Sequence, residues 1–78
     1  MIRGIVTGRI WSTRRLESLP QGTLLEVTVG KETLVAFDPL GCAEGEEVLI
    51  TQGSVAAGYF AGIKAPVDAL IIGSIDDH

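Results

Sequence analysis

The stretch TLLEVTVGKETLVAFDPLGCAEGEEVLITQ, residues 23–52, decides how this chain folds. TLLEVTV and ETLVAF are rich in β-branched and aromatic residues and flank Gly30-Lys31, which predicts two strands joined by a tight hairpin. Leu25, Val27 and Val29 share one strand face, as do Thr33, Val35 and Phe37. Asp38-Pro39-Leu40-Gly41 has the preferences of a type I turn, with an Asx residue first, proline second and glycine fourth. Gly45 permits a second reversal, and EVLITQ predicts a further strand. The same reversal crowds Asp38, Cys42, Glu44, Glu46 and Glu47 around two glycines, so it has to be weighed as chemistry as well as a turn.

Toward the N-terminus the chain alternates with period two, the mark of a half-buried strand. Ile2, Gly4, Val6, Gly8 and Ile10 fall on one face, and Arg3, Ile5, Thr7, Arg9 and Trp11 on the other. Two glycines on one strand face predict close backbone approach or a sharp barrel bend. STRRLESLPQG then reads as a loop, broken by Pro20 and Gly22.

Toward the C-terminus, GSVAAGYFAG predicts a short helix with Ser54 as N-cap and Ala56-Ala57 as helix formers. Gly58 and Gly62 limit it to about two turns, and Pro66 stops any continuation. DALIIGSID predicts a closing strand apolar enough to be buried on both faces, with Gly73 as a bend. The expected architecture is all-β: a small five-stranded OB-like barrel with one short helix between the last two strands. Residues 1–78 are expected to form one domain.

Size sets the next constraint. A core in a chain of 78 residues supplies only ~3–5 kcal/mol, so small scaffolds lean on disulfides, metals or partner subunits. Cys42 is the single cysteine and cannot close a bridge within the chain, while the single histidine, His78, stands last. No Cys/His cluster or calcium-loop spacing occurs, so no metal is expected. Self-association is the support that remains. A lone free cysteine suits a reducing compartment. MIRGIVTGRI lacks the apolar run of a signal peptide, and ALIIG is far below the ~20 residues that cross a bilayer. These features predict a soluble, intracellular protein with no membrane partner.

Net charge is −4, but its distribution is uneven. Residues 1–15 carry Arg3, Arg9, Arg14 and Arg15 and no acid, a balance of +4; residues 16–78 set two lysines against ten acids, a balance of −8. Opposite charge on two parts of one chain reads either as two ordinary solvated surfaces or as a basis for head-to-tail contact between copies.

No catalytic constellation emerges. Gly30-Lys31 fails the phosphate-loop pattern, because Glu-Thr follows it and Leu25 stands where the first glycine belongs. Cys42 has no histidine base by spacing, and its acidic surroundings suppress the thiolate. Asp38, Glu44, Glu46, Asp68 and Asp76 form no pair of diagnostic spacing. Neither an enzyme nor a cofactor is expected. The alternative function is an OB-fold single-stranded nucleic-acid-binding module, with Trp11 beside Arg9, Arg14 and Arg15 as a small stacking platform. The prevailing negative charge weighs against it.

Three segments, in order, resemble a known family. DPLGCAEGEEVLITQGS is similar to the D-x-hydrophobic-G-small-x-x-G-acidic-x-V-hydrophobic run, followed by G-S, of the EutN/CcmL family. APVDALIIGSID resembles that family's closing segment, and MIRGIVTGRIWST its opening strand. The resemblance implies a vertex protein of bacterial microcompartments (carboxysomes or metabolosomes): a structural, cytoplasmic shell component forming a homopentamer among hexameric shell proteins. It places Asp38, Gly41 and Gly45 in a reversal between barrel strands. Glu44, Glu46 and Glu47 are then either solvated or paired with a neighbour's arginines. Gly53, Ser54, Val55 and Ala56 are placed near the ring axis or a subunit contact, carried over from the family's G-S-S-A-R stretch. Val55 and Ala57 depart from that stretch at its second serine and its arginine. Arg3 and Arg9 are expected to cross subunit boundaries.

Overall fold

The computed structural model describes residues 1–11, 14, 16, 17, 19, 22–59 and 67–75. Arg15, Pro20, Gly62, Pro66, Asp76 and His78 lie outside them. Five strands form in chain order: β1 (Ile2–Ile10), β2 (Thr23–Val29), β3 (Glu32–Asp38), β4 (Glu47–Gln52) and β5 (Ala69–Ser74). They close into a barrel in the order β1-β2-β3-β5-β4. All neighbours are antiparallel except β3 and β5, which run parallel with Phe37 opposite Leu70. This is the topology expected of an OB-like barrel, in which closure removes most of the strand edge.

The hairpin forms where the sequence placed it. Val29 pairs with Glu32 around Gly30-Lys31, and Gly30 has φ 61. A two-residue turn of type II′ demands positive φ at its first central residue, which glycine supplies without a Cβ clash.

The interior is aliphatic. Val6, Leu25, Val27, Ala36, Cys42, Val48, Ile50, Ala69 and Ile71 form one buried cluster inside the barrel. Gly4 is the tightest point of β1. A Cβ there would stand 2.5 Å from Val27 Cγ1 and 2.9 Å from Val29 Cγ2, so only hydrogen fits.

A second cluster lies on the outer face of the sheet. Phe37, Leu70, Val67 and Ala56 are buried there, with Leu24 and Leu19 packed against them. Thr33 and Val35 share the outer face with Phe37 but remain exposed, because the covering segment reaches only Phe37.

Three expectations need correction. The helix of about two turns is not present between the last two strands. Among the described residues that connection has a single helical turn, Ser54–Ala57, with Gly53 rather than Ser54 at the N-cap and no side-chain cap bond. Gly53 with φ 74 and ψ −146 reverses the chain, and the glycine at 58 ends the turn before a second can form. Second, β1 does not keep one face throughout. Its register with β2 shifts between Val6 and Gly8, a β-bulge at Thr7. Gly4 faces inward to Val27, whereas Gly8 faces outward to Glu26; Arg9 then stands opposite inward-facing Leu25, off the face of Arg3 and Ile5. Third, β5 is buried on both faces only over Ala69–Ile71, and Ile72 emerges at a second bulge opposite Leu49.

Replacing Gly4 with alanine should lower stability by about 1–3 kcal/mol, the usual cost of overfilling a packed interior. Urea unfolding at fixed protein concentration checks this, with a lower midpoint and unchanged slope expected.

Candidate functional site

The acidic turn between β3 and β4 uses its polar groups internally. Asp38, only 5% exposed, accepts hydrogen bonds from the backbone N–H groups of Leu40 (2.9 Å, at Oδ1) and Cys42 (2.6 Å, at Oδ2). A carboxylate bonding the chain two and four residues on is an Asx-type lock, and it fixes the reversal. Gly41 and Gly45 have φ 81 and 93, values that the turn needs and a side chain would strain.

The far arm of the turn is stitched to β1 and β5. Val6 N–H donates to the Glu46 carbonyl at 2.9 Å, and Gly45 N–H donates to the Val6 carbonyl at 2.8 Å. The Glu46 carboxylate accepts from Ser74 Oγ at 2.9 Å and from Ala43 N–H at 3.2 Å. The bond from Ser74, then that from Ala43, holds its pKa below the ordinary carboxylate value. Cys42 packs in the barrel interior. Burial first, and then the negative charges of Asp38 and Glu46, push its thiol up to about 11. A thiol so held is protonated at neutral pH and a poor nucleophile.

The remaining predicted residues lie apart from this turn. Arg3 pairs with Glu47 of its own chain at 2.9 Å, with side chains 64% and 33% exposed. Such a surface pair is worth about 0–1 kcal/mol. Arg9 lies over the exposed Trp11 ring, its guanidinium carbon 5.5 Å from the centroid. One face of the supposed stacking platform is therefore already covered. Gly53 N–H donates to the Asp68 carbonyl at 2.7 Å, tying the helical turn to the start of β5. Ser54 is exposed, while Ala56 is fully buried against the Phe37 cluster. Val55 belongs to the helical turn. No group of three or more His, Cys, Asp or Glu side chains able to hold a metal occurs among the described residues, and no helix there is long and apolar enough to cross a membrane.

Sequence reasoning missed the outer surface of β1, β4 and β5, where Ile5 and Ile72 are exposed. The available signal was Gly73, a strand glycine read only as a bend.

These features define a class: a small closed barrel in which the turn carboxylates of Asp38 and Glu46 are occupied in holding its own backbone, and whose outside carries exposed apolar side chains. It is built as a structural unit. Residues 1–76 match the family described as "Ethanolamine utilisation protein EutN/carboxysome". The chain resembles the bacterial microcompartment shell vertex protein EutN of Salmonella typhimurium, with 34% identity over 94% of this chain and 81% of that protein. It is also similar to the pentameric shell protein MSM0273 from the RMM microcompartment, with a TM-score of 0.92, 56% identity, and coverage of 97% of this chain and 91% of the other. Gloeobacter violaceus CcmL superposes with a TM-score of 0.88 at 31% identity, covering 97% of this chain and 86% of the other. The chain belongs to the EutN/CcmL family.

Replacing Asp38 with alanine leaves the buried Cys42 N–H without its acceptor. The expected loss is about 1–3 kcal/mol, the cost of an unsatisfied buried donor. Thermal unfolding at fixed concentration should show it as a lower Tm than that of Glu44→Ala, which removes only an exposed side chain.

Proposed function

We propose that this chain is a structural shell protein of a bacterial microcompartment, assembling as a homopentamer that caps the vertices of the shell. The observation that carries the reading is the shared barrel and 56% identity, across almost the whole chain, with a pentameric shell protein. The chemistry is consistent with it. The carboxylates beside Cys42, Asp38 and Glu46, are used in holding the turn, and Cys42 is held neutral. The nucleic-acid alternative is not retained. One face of its platform is covered by Arg9, the chain is net negative, and the family is one of shell proteins.

The role is geometric. Head-to-tail contacts between identical subunits close into a ring when the rotation per subunit is right. Flat sheets of six-membered tiles need five-membered rings where they turn a corner, so the partners are hexameric shell proteins. Within the ring, Gly53, Ser54, Val55 and Ala56 lie near the axis or an adjacent contact. Ala56 is spent on the barrel's outer cluster, whereas Gly53 and Ser54 are exposed. Arg3 and Arg9 reach toward the acid-rich surface of the next copy, while Asp38, Gly41 and Gly45 keep the β3–β4 reversal in shape.

Native mass spectrometry should return five chains of 8.2 kDa, about 41 kDa. A six-membered ring of about 49 kDa would remove the vertex role, and monomers at every concentration would remove the ring.

Placement of residues 53–56 has its own check. Ser54→Cys, followed by mild oxidation, should give disulfide-linked dimers within intact rings, since Cys42 is buried and does not compete. Rings free of cross-links would put this segment away from the axis.

A further inference from the structure

On the outside of β1, β4 and β5, Ile5 is 49% exposed and Ile72 42%, with half-buried Leu49 between their strands. Register joins them into one surface: Ile5 is opposite Glu47, Arg3 opposite Leu49, and Leu49 opposite Gly73. Among the described residues nothing requires glycine at 73. Its φ is not positive, and of those residues a Cβ there would meet Leu49 Cδ1 alone, at 3.7 Å, an ordinary packing distance. The contrast with other glycines is sharp. At Gly4 and Gly22 a Cβ would come within 2.5 Å of Val27 and Phe37 respectively, and Gly30, Gly41, Gly45 and Gly53 need positive φ. A strand glycine costs stability, and it is found where another backbone comes close. Gly8 is similarly unforced, but its surroundings are polar: Thr7 Oγ1 bonds Glu26 Oε1 at 2.9 Å and lies 3.2 Å from Thr28 Oγ1.

We infer that the Ile5–Leu49–Ile72 surface around Gly73 is the face on which one copy packs against the next in the ring, the missing side chain at 73 letting the neighbour's backbone approach. This rests on the ring reading above. The occupant is a second copy for two reasons. A head-to-tail ring needs on every subunit one face that receives a different part of its neighbour, and lasting interfaces have apolar centres. Charge also complements: Arg3, at the rim of this surface and still 64% exposed beside Glu47, meets a neighbour whose residues 16–78 carry −8.

The test uses the full chain. The wild type is first shown to form rings by native mass spectrometry; failure there defeats the function reading and not this assignment of the face. Ile5→Gln and Ile72→Gln alter side chains already half in water in a single chain, so the barrel should keep its far-UV circular dichroism. Each should raise the ring's dissociation constant by roughly ten-fold or more, as loss of a central interface side chain does. Gly73→Leu should break the ring more completely. Rings as stable as wild type in both isoleucine variants would overturn the inference and leave the face to another shell protein. A readout on the unmodified ring covers the case in which ring loss also unfolds the chain. Hydroxyl-radical labelling should mark Ile5 and Ile72 far less than Val35, whose single-chain exposure of 46% is comparable. Equal labelling of the three would overturn it as well.

Discussion

The interior of this barrel is so narrow that at Gly4 the β1 backbone rests directly on Val27 and Val29. Much else follows from that contact. Five strands enclose room for small aliphatic side chains and little more, so the core is valine, isoleucine, leucine and alanine, with Cys42 as one of its fillers. Among the described residues the one large ring that is buried, Phe37, is accommodated outside the barrel, where the helical turn and Val67 cover it. The fold therefore has two thin layers of apolar packing instead of one thick core. Neither layer is large, and a subunit of this kind gains from lateral neighbours.

The acidic turn shows how a cluster that looks reactive is consumed by architecture. Asp38 takes two backbone donors, Glu46 takes a hydroxyl and another backbone donor, and Glu47 takes Arg3. Together they pin the β3–β4 reversal to β1 and β5, so the barrel closes with its seam held by side chains as well as by strand pairing. The thiol between them is neutral first because it is buried, and then because the neighbouring charge is negative. The chemistry was local enough to be read from the order Asp-Pro-Leu-Gly and from the acids beside Cys42.

What could be read, and what could not, divides by range. Period-two alternation over Ile2–Val6, the Gly30-Lys31 hairpin and the Asp38 turn depend on residues a few positions apart, and all are visible in the chain. The bulges at Thr7 and Ile72 arise from barrel closure, which joins distant strands, and they move Arg9 and Ile72 to faces that simple alternation misassigns. The helical propensity of Ala56-Ala57 was real, but the reversal at Gly53 and the break at 58 left space for one turn. Phe37 looked like a companion of Thr33 and Val35; its burial depends on Val67 and Leu70, some thirty residues on. The family was legible because three short motifs stand in the right order, each tied to a turn or a closing strand. The surface around Gly73 was not, because its meaning lies in what the barrel leaves unfilled.

The buried alanine of the helical turn has a practical corollary. Ala56 is sealed beneath Phe37 and Ala57 is 7% exposed, so neither can be enlarged without prising the turn from the barrel. Under the proposed ring placement, the exposed positions this bend would offer at the axis include Gly53, Ser54 and Gly58. A larger side chain at either alanine would instead unseat the turn that carries them.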